Sequence, residues 1–400
     1  MHHAFQPTDR LAPIDGLRGI AALLVIIGHH NMDPRWLLYW PVRFIQYTLS
    51  ASLAVVVFFA LSGYLLTYLA TREYDRTGSF SIRDFYVRRC FRVLPLYFLA
   101  LGIAIYAASP AGPFPVTPPE RFGWIVDNLW RFLTLTSNWS LALNLTADGS
   151  TPALAILWTV AVEFQFYAIF PFAFVALIRS SKRQRIIALA AIVLLAFGYR
   201  LFAFLHTTTP PPWFPQPLTY YASLSYADVF ALGAIAGWAS AKGAARDIAR
   251  SPNAGPALLF MIVLTILAWN QTLVDAFTPL YTIATALAGV TAACLLMWIA
   301  ANGSSSIVRL LSSGPVTTIG ILSYGIYLWH PMGGDIYGAF LTWQPSSMIG
   351  INIRAALSLT LYFGCAFALA AISYTLVERP AIALGRRLLS RQRLSPSPAL

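Results

Sequence analysis

Residues 15–30 read Asp15-Gly-Leu-Arg18-Gly19-Ile-Ala-Ala-Leu-Leu-Val-Ile-Ile-Gly28-His29-His30. An arginine and a histidine bracket an otherwise apolar run. At about 1.5 Å rise and 100° per residue, the interval from 18 to 29 carries a helix about 16 Å forward and almost a whole number of turns round. Arg18 and His29 therefore share one face, and Asp15 falls within about 40° of it. Arg18 is expected near a membrane surface and His29 well inside the bilayer. An ionisable group at that depth is expensive and must face protein or water, so the pattern reads as a functional site. The plainer alternative is a histidine hydrogen-bonded between helices.

The rest of the chain supplies the membrane. Hydrophobic residues make up 58% of the 400 and charged residues 10%, against about 25% charged in soluble domains, and the mean hydropathy is +0.65. Apolar windows on the order of 20 residues recur from end to end, at about 17–37, 44–70, 90–108, 154–178, 185–205, 219–240, 256–273, 279–301, 316–341 and 352–377. The fold class expected is all-α: a polytopic membrane protein of about ten transmembrane helices in one bundle. The first window has the flanking Arg10 and Arg18 of a signal peptide but no small-x-small cleavage site, so it stays as a span. Residues 1–386 read as one membrane domain and 387–400 as a short disordered tail.

All but six of the 27 lysines and arginines fall on alternate sides of these windows, together with the N-terminus; the exceptions are Arg35, Arg43, Arg121, Arg131, Arg200 and Arg354. The skew places both termini in the cytoplasm, in a multi-pass protein of the plasma or inner membrane. The net charge of +12 follows from it, and no nucleic-acid partner is needed to explain it. Cys90, Cys294 and Cys365 offer neither a disulfide framework nor metal-ligand spacing, and no metal site or bound cofactor is expected. Asn138-Trp-Ser and Asn144-Leu-Thr match the glycosylation pattern by chance. The long stretch 109–153, rich in proline and then in tryptophan and phenylalanine, reads as a functional cover or as an interfacial segment.

Four further clusters carry chemistry. Phe58-Phe59-Ala60-Leu61-Ser62-Gly63 offers a small pair at which a ligand or another helix can approach closely. Arg88-Arg89-Cys90-Phe91-Arg92 crowds three guanidinium groups at one helix entrance, suited to a polyphosphate or to membrane lipid headgroups. Trp158-Thr-Val-Ala-Val-Glu163-Phe-Gln-Phe-Tyr167 sets a carboxylate inside a span with a phenol one turn on. Ser323-Tyr324-Gly325-Ile-Tyr327-Leu-Trp329-His330-Pro331 brings a second intramembrane histidine, structural or catalytic. Glu378-Arg379 reads as a helix-end anchor.

In this order the motifs resemble the acyltransferase 3 family of integral-membrane acyltransferases. The resemblance rests on Arg18 and His29 (arginine, ten residues, histidine), on Phe58, Phe59, Ser62 and Gly63, and on Arg89 and Arg92. It continues through Trp158, Glu163, Phe166 and Tyr167, and through Ser323 to His330. It runs from Asp15 to Pro380, with Thr159 where serine is commoner and a doubled histidine at 29–30. It implies transfer of an acyl group, acetyl above all, from acyl-CoA to a hydroxyl of a surface glycan, lipid-linked sugar or other secreted alcohol.

Such a transfer needs a base or a nucleophilic relay and a stabilised oxyanion. His29 would be the base or acyl carrier, with Arg18, Asp15 and Glu163 beside it in the catalytic set. Arg88, Arg89 and Arg92 would hold CoA phosphates. Ser62, Gly63, Tyr167, Tyr327 and His330 would complete the substrate site. The competing class is a proton-coupled transporter, which also keeps His, Glu and Arg at membrane depth. It would show two matching halves, which this sequence lacks.

Overall fold

The computed structural model describes residues 11–30, 35–115, 120–143, 151–206, 217–270, 279–341 and 343–394, and all regular structure among them is helical. The main helices are α1 (Ala12–His29), α2 (Tyr39–Thr48), α3 (Ala51–Thr77), α4 (Ile82–Ala108), α5 (Leu157–Arg179) and α6 (Lys182–His206). They continue with α7 (Ala227–Lys242), α8 (Ala254–Ala268), α9 (Pro279–Ala301), α10 (Gly314–Phe340), α11 (Met348–Ser373) and α12 (Arg379–Leu394).

Each of the ten apolar windows holds one of these helices, and among the described residues eight helices are long and apolar enough to cross a membrane. The chain is thus an all-α, multi-pass membrane protein. Of the other two, α8 has 15 residues, about 22 Å, short of the roughly 30 Å of a hydrocarbon core. Helix α10 is long enough but carries Thr317, Thr318, Ser323, His330 and Asp335 along its 27 residues.

Several boundaries differ from those expected. The first helix ends at His29 rather than near 37, and residues 31–34 lie outside the described part. The segment at 39–48 is a separate helix, and the second span starts at Ala51. Helix α4 starts at Ile82 because Ser81 Oγ accepts the Asp84 N–H at 3.2 Å, an N-cap hydrogen bond. Arg83 to Arg92 therefore sit in the first turns of α4, not in a loop before it. The tail read as disordered from 387 is helical to Leu394; residues 395–400 and Asn144 lie outside the described part.

The chain divides into two compact units. The first comprises Met1–Arg72, Ala188–Gln216 and Leu224–Tyr324, and it is built on close backbone approach. A Cβ at Gly63 would strike the Phe230 carbonyl of α7, one at Gly233 the Ala60 carbonyl of α3, and one at Gly237 the Tyr64 carbonyl. These two helices therefore lie backbone to backbone, the packing small residues permit in lipid. The first half of α10 meets α1 in the same way, since a Cβ at Gly320 would strike the Asp15 carbonyl. Arg200 of α6 and Asp228 of α7 form a doubly bonded ion pair, Nη1–Oδ1 2.9 Å and Nη2–Oδ2 2.7 Å, with both side chains 0% exposed.

The second unit comprises Glu73–Ile187, Pro217–Ser223 and Gly325–Leu400. Tyr86 of α4 donates its hydroxyl proton to the Ala168 carbonyl of α5 at 2.7 Å. The stretch after α4 folds into short helices, Glu120–Asp127, Leu129–Leu133 and Ser137–Ala142. A triangle of side chains binds the last of these in place: Gln165 Nε2 donates to Asn138 Oδ1 (2.8 Å), Asn138 Nδ2 to Ser223 Oγ (3.1 Å), and Ser223 Oγ to Gln165 Oε1 (2.6 Å). Asn138 is fully buried, so its glycosylation pattern is sterically closed in the folded chain. Beyond α11 a π-helical turn, Tyr374–Glu378, leads into α12, which packs back on α4 where Gly385 admits the Phe91 ring.

Candidate functional site

The candidate residues fall in two sets, one per unit. In the first, Pro13 starts α1 in a position where its missing N–H is not needed, and Asp15 sits in the first turn, where a carboxylate suits the helix dipole. Arg18 Nη1 lies 3.8 Å from Asp15 Oδ1, and both side chains are largely buried. Between Arg18 and His29 the shared face carries Ala22 and Val25, each 0% exposed. At these two positions that face looks into protein.

His29 is the last residue of α1. Its Nδ1 lies 2.8 Å from the Val25 carbonyl. A carbonyl only accepts, so Nδ1 carries the proton and the neutral ring keeps its basic lone pair on Nε2. Rotation by one residue separates the two histidines: His29 is exposed and His30 is 4% exposed. Along the helix axis Arg18 and His29 are about 16 Å apart.

The end of α1 is held from two sides, by α3 and by α2. Gly28 lies against Ala51, whose N and Cβ a Cβ at 28 would meet at 3.0 and 2.7 Å. Gln46 of α2 donates from Nε2 to the Ile27 carbonyl at 2.6 Å and to the His30 carbonyl at 3.0 Å. Arg43 Nη1 donates to Gln46 Oε1 at 3.1 Å. Sequence reasoning missed Gln46, since a single amide at the edge of an apolar window gives no periodic signal. Gly63, expected at a substrate surface, is occupied by the α7 backbone, so helix packing accounts for it. Ser62 beside it is half-buried.

In the second unit the three arginines do three different things. Arg88 Nη2 pairs with Glu73 Oε2 at 2.9 Å. Arg89 lies over the rings of Tyr167 (5.6 Å) and Phe85 (5.9 Å), and its buried Nε has no hydrogen-bond partner among the described residues. Arg92 is exposed. Tyr167 donates its hydroxyl proton to Glu163 one turn back. Glu163, Tyr167 and Arg89 thus form one contiguous group.

The two remaining candidates are tied into structure. Tyr327 donates to the Ile156 carbonyl at 2.9 Å and accepts from Thr159 Oγ1 at 2.8 Å, fastening α10 to the start of α5. Its phenol therefore takes part in a helix junction. His330 is 1% exposed, and its Nδ1 lies 2.6 Å from the Tyr327 carbonyl. That carbonyl would accept the N–H of residue 331 in a regular helix, but residue 331 is proline and has none. The His330 ring N–H fills the vacancy. This geometry favours the structural reading of His330 over the catalytic one. Among the described residues no three His, Cys, Asp or Glu side chains are grouped to hold a metal.

The sequence matches a family model described as an acyltransferase domain over residues 11–378. Among known proteins it is 26% identical, over 98% of its length, to the provisionally named peptidoglycan O-acetyltransferase YrhL of Bacillus subtilis (strain 168), of which it covers 58%. It is also 26% identical, over 80% of its length, to O-acetyltransferase OatA of Staphylococcus aureus (strain NCTC 8325 / PS 47), of which it covers 50%. The chain therefore spans between half and three fifths of these relatives. No solved structure matches it. With the arginine–histidine helix, the arginine cluster and the Glu163–Tyr167 pair in family order, the chain belongs to the acyltransferase 3 family of membrane acyltransferases.

Proposed function

We propose that this protein is a membrane O-acetyltransferase moving an acyl group from acyl-CoA to a hydroxyl of a surface glycan. The observation that carries the reading is His29: an exposed imidazole at the end of a span, with Nδ1 hydrogen-bonded and the lone pair on Nε2. Nε2 takes the acceptor's hydroxyl proton as the oxygen attacks the thioester carbonyl. The C–S bond then breaks and the imidazolium returns the proton to the CoA thiolate. Arg18, paired with Asp15, anchors the helix that presents the ring. Arg92 and Arg89 bind CoA phosphates, and Tyr167 and Glu163 hold Arg89 in place. The names of the two relatives point to peptidoglycan or a similar glycan as acceptor. The skew of basic residues supports a cytoplasmic donor side and cytoplasmic termini.

The test is thiol release from acetyl-CoA by purified protein. Wild type should release CoA when a glycan acceptor is supplied, and His29→Ala should release none while still inserting in the membrane. His30→Ala should keep measurable activity. A wild-type protein that binds glycan but never releases thiol would instead be a transporter.

A further inference from the structure

Gln46 has no part in the chemistry just described, yet it is 7% exposed and every hydrogen-bonding group of its amide is engaged. Both Nε2 protons go to carbonyls of the α1 terminus, Ile27 at 2.6 Å and His30 at 3.0 Å. Oε1 accepts from Arg43 Nη1 at 3.1 Å, which fixes which end of the amide faces α1. The two carbonyls flank His29, one two residues before it and one directly after. A helix leaves its last four carbonyls without intrahelical donors. Inside a bilayer there is no water to satisfy them. Here Gln46, on the next helix, adds a short second bond to the Ile27 carbonyl, which also accepts the His30 N–H at 3.4 Å, and supplies a donor to the His30 carbonyl just past the helix end.

The backbone of His29 is thereby pinned on both sides. Gly28 is pressed against Ala51, and the ring itself is tied to Val25. What is left to the ring is rotation about its two side-chain torsions, and the Val25 bond limits that.

We infer that Gln46 is a positioning residue for the His29 imidazole, its amide clamping the carbonyls of Ile27 and His30 so that Nε2 is held at a fixed point. This inference rests on the reading of His29 as the reacting base. A misplacement of about 1 Å in such a group lowers turnover by about 100-fold. Loss of the clamp therefore acts on kcat and leaves acyl-CoA binding, which uses other residues, as it was. Arg43 acts one step further out, by orienting the amide.

The experiment uses the full chain in detergent and compares wild type, Gln46→Met and Gln46→Asn. Met keeps the length and loses every hydrogen bond; Asn keeps both donors one methylene short of their carbonyls. Samples are matched for folding by gel filtration and circular dichroism at a temperature well below unfolding. Gln46→Met should lose 10- to 100-fold in kcat for CoA release, with KM for acetyl-CoA within twofold, and Gln46→Asn should fall between. In parallel, modification of His29 by diethyl pyrocarbonate, followed by mass spectrometry with His206 as internal control, should change rate at least threefold in Gln46→Met. A cap that only stabilised the helix would lower the melting temperature and move neither quantity. That result, in folded protein, would overturn the inference. If wild type itself releases no CoA, the functional reading fails, while the His29 modification rate still decides whether Gln46 sets the ring's position.

Discussion

Removing one partner of the Arg200–Asp228 pair should cost this chain a large part of its stability. Both side chains are fully buried, and the carboxylate engages the guanidinium through two bonds of 2.9 and 2.7 Å. Asp228 Oδ1 also accepts the Val229 N–H, and Arg200 Nη1 donates to the Ser225 carbonyl. In Asp228→Leu the guanidinium keeps its charge and only the Ser225 carbonyl. A buried charge left in this way costs about 3–5 kcal/mol, roughly two to four orders of magnitude in the unfolding equilibrium. Replacing both partners with apolar residues removes the problem with its cause, so Arg200→Met combined with Asp228→Leu should lie within about 1 kcal/mol of wild type. The measurement is reversible unfolding in mixed micelles, titrated with sodium dodecyl sulfate and followed by tryptophan fluorescence. A double variant less stable than either single variant would refute the reasoning, because the pair would then be contributing more than mutual neutralisation.

Three other outcomes follow from the geometry. His330→Leu should lower stability by about 1–3 kcal/mol by stranding the Tyr327 carbonyl, and adding Pro331→Ala should restore most of it by returning a backbone N–H; melting temperatures of the two variants check this, and equal values would deny the link. Gly63→Val should abolish folded protein in membranes, because its side chain would enter the Phe230 carbonyl, whereas Gly102→Ala, at an open position, should be tolerated; expression with gel filtration reads both. Arg92→Ala should weaken acetyl-CoA binding by about 1.5–3 kcal/mol, the scale of a charge-assisted hydrogen bond, with lysine restoring part of it; isothermal titration measures the affinity, and no change would remove Arg92 from the donor site.

Apolar runs made the long helices legible because a span must satisfy its backbone internally and cover itself with apolar side chains. Where the chain departs from that rule, the sequence was harder to read. The first turns of α4 are basic, and only the Ser81 cap marks them as helical. Helix α2 has 10 residues, too few to register as a span. The pairing of Glu163 with Tyr167 was legible, since four residues is one helical turn. Asp228 was not singled out, although a lone aspartate in an apolar span implies a cationic partner, and Arg200 was the one available in the preceding span. The role of His330 lay in plain view beside Pro331, but it becomes a statement about structure only once the Tyr327 carbonyl is seen to lack a donor.

The Arg200–Asp228 pair also bears on how the chain enters a membrane. Neither α6 nor α7 can rest alone in lipid, since each would present an unneutralised charge to hydrocarbon. The two helices must therefore leave the translocation machinery as a hairpin, with the first held until the second arrives. Twenty positions of sequence, 207–226, separate the two helices, and their number sets that delay. Lengthening this stretch would keep each charge waiting longer for its partner, so the yield of inserted protein would fall even where the finished fold has ample room for the extra residues.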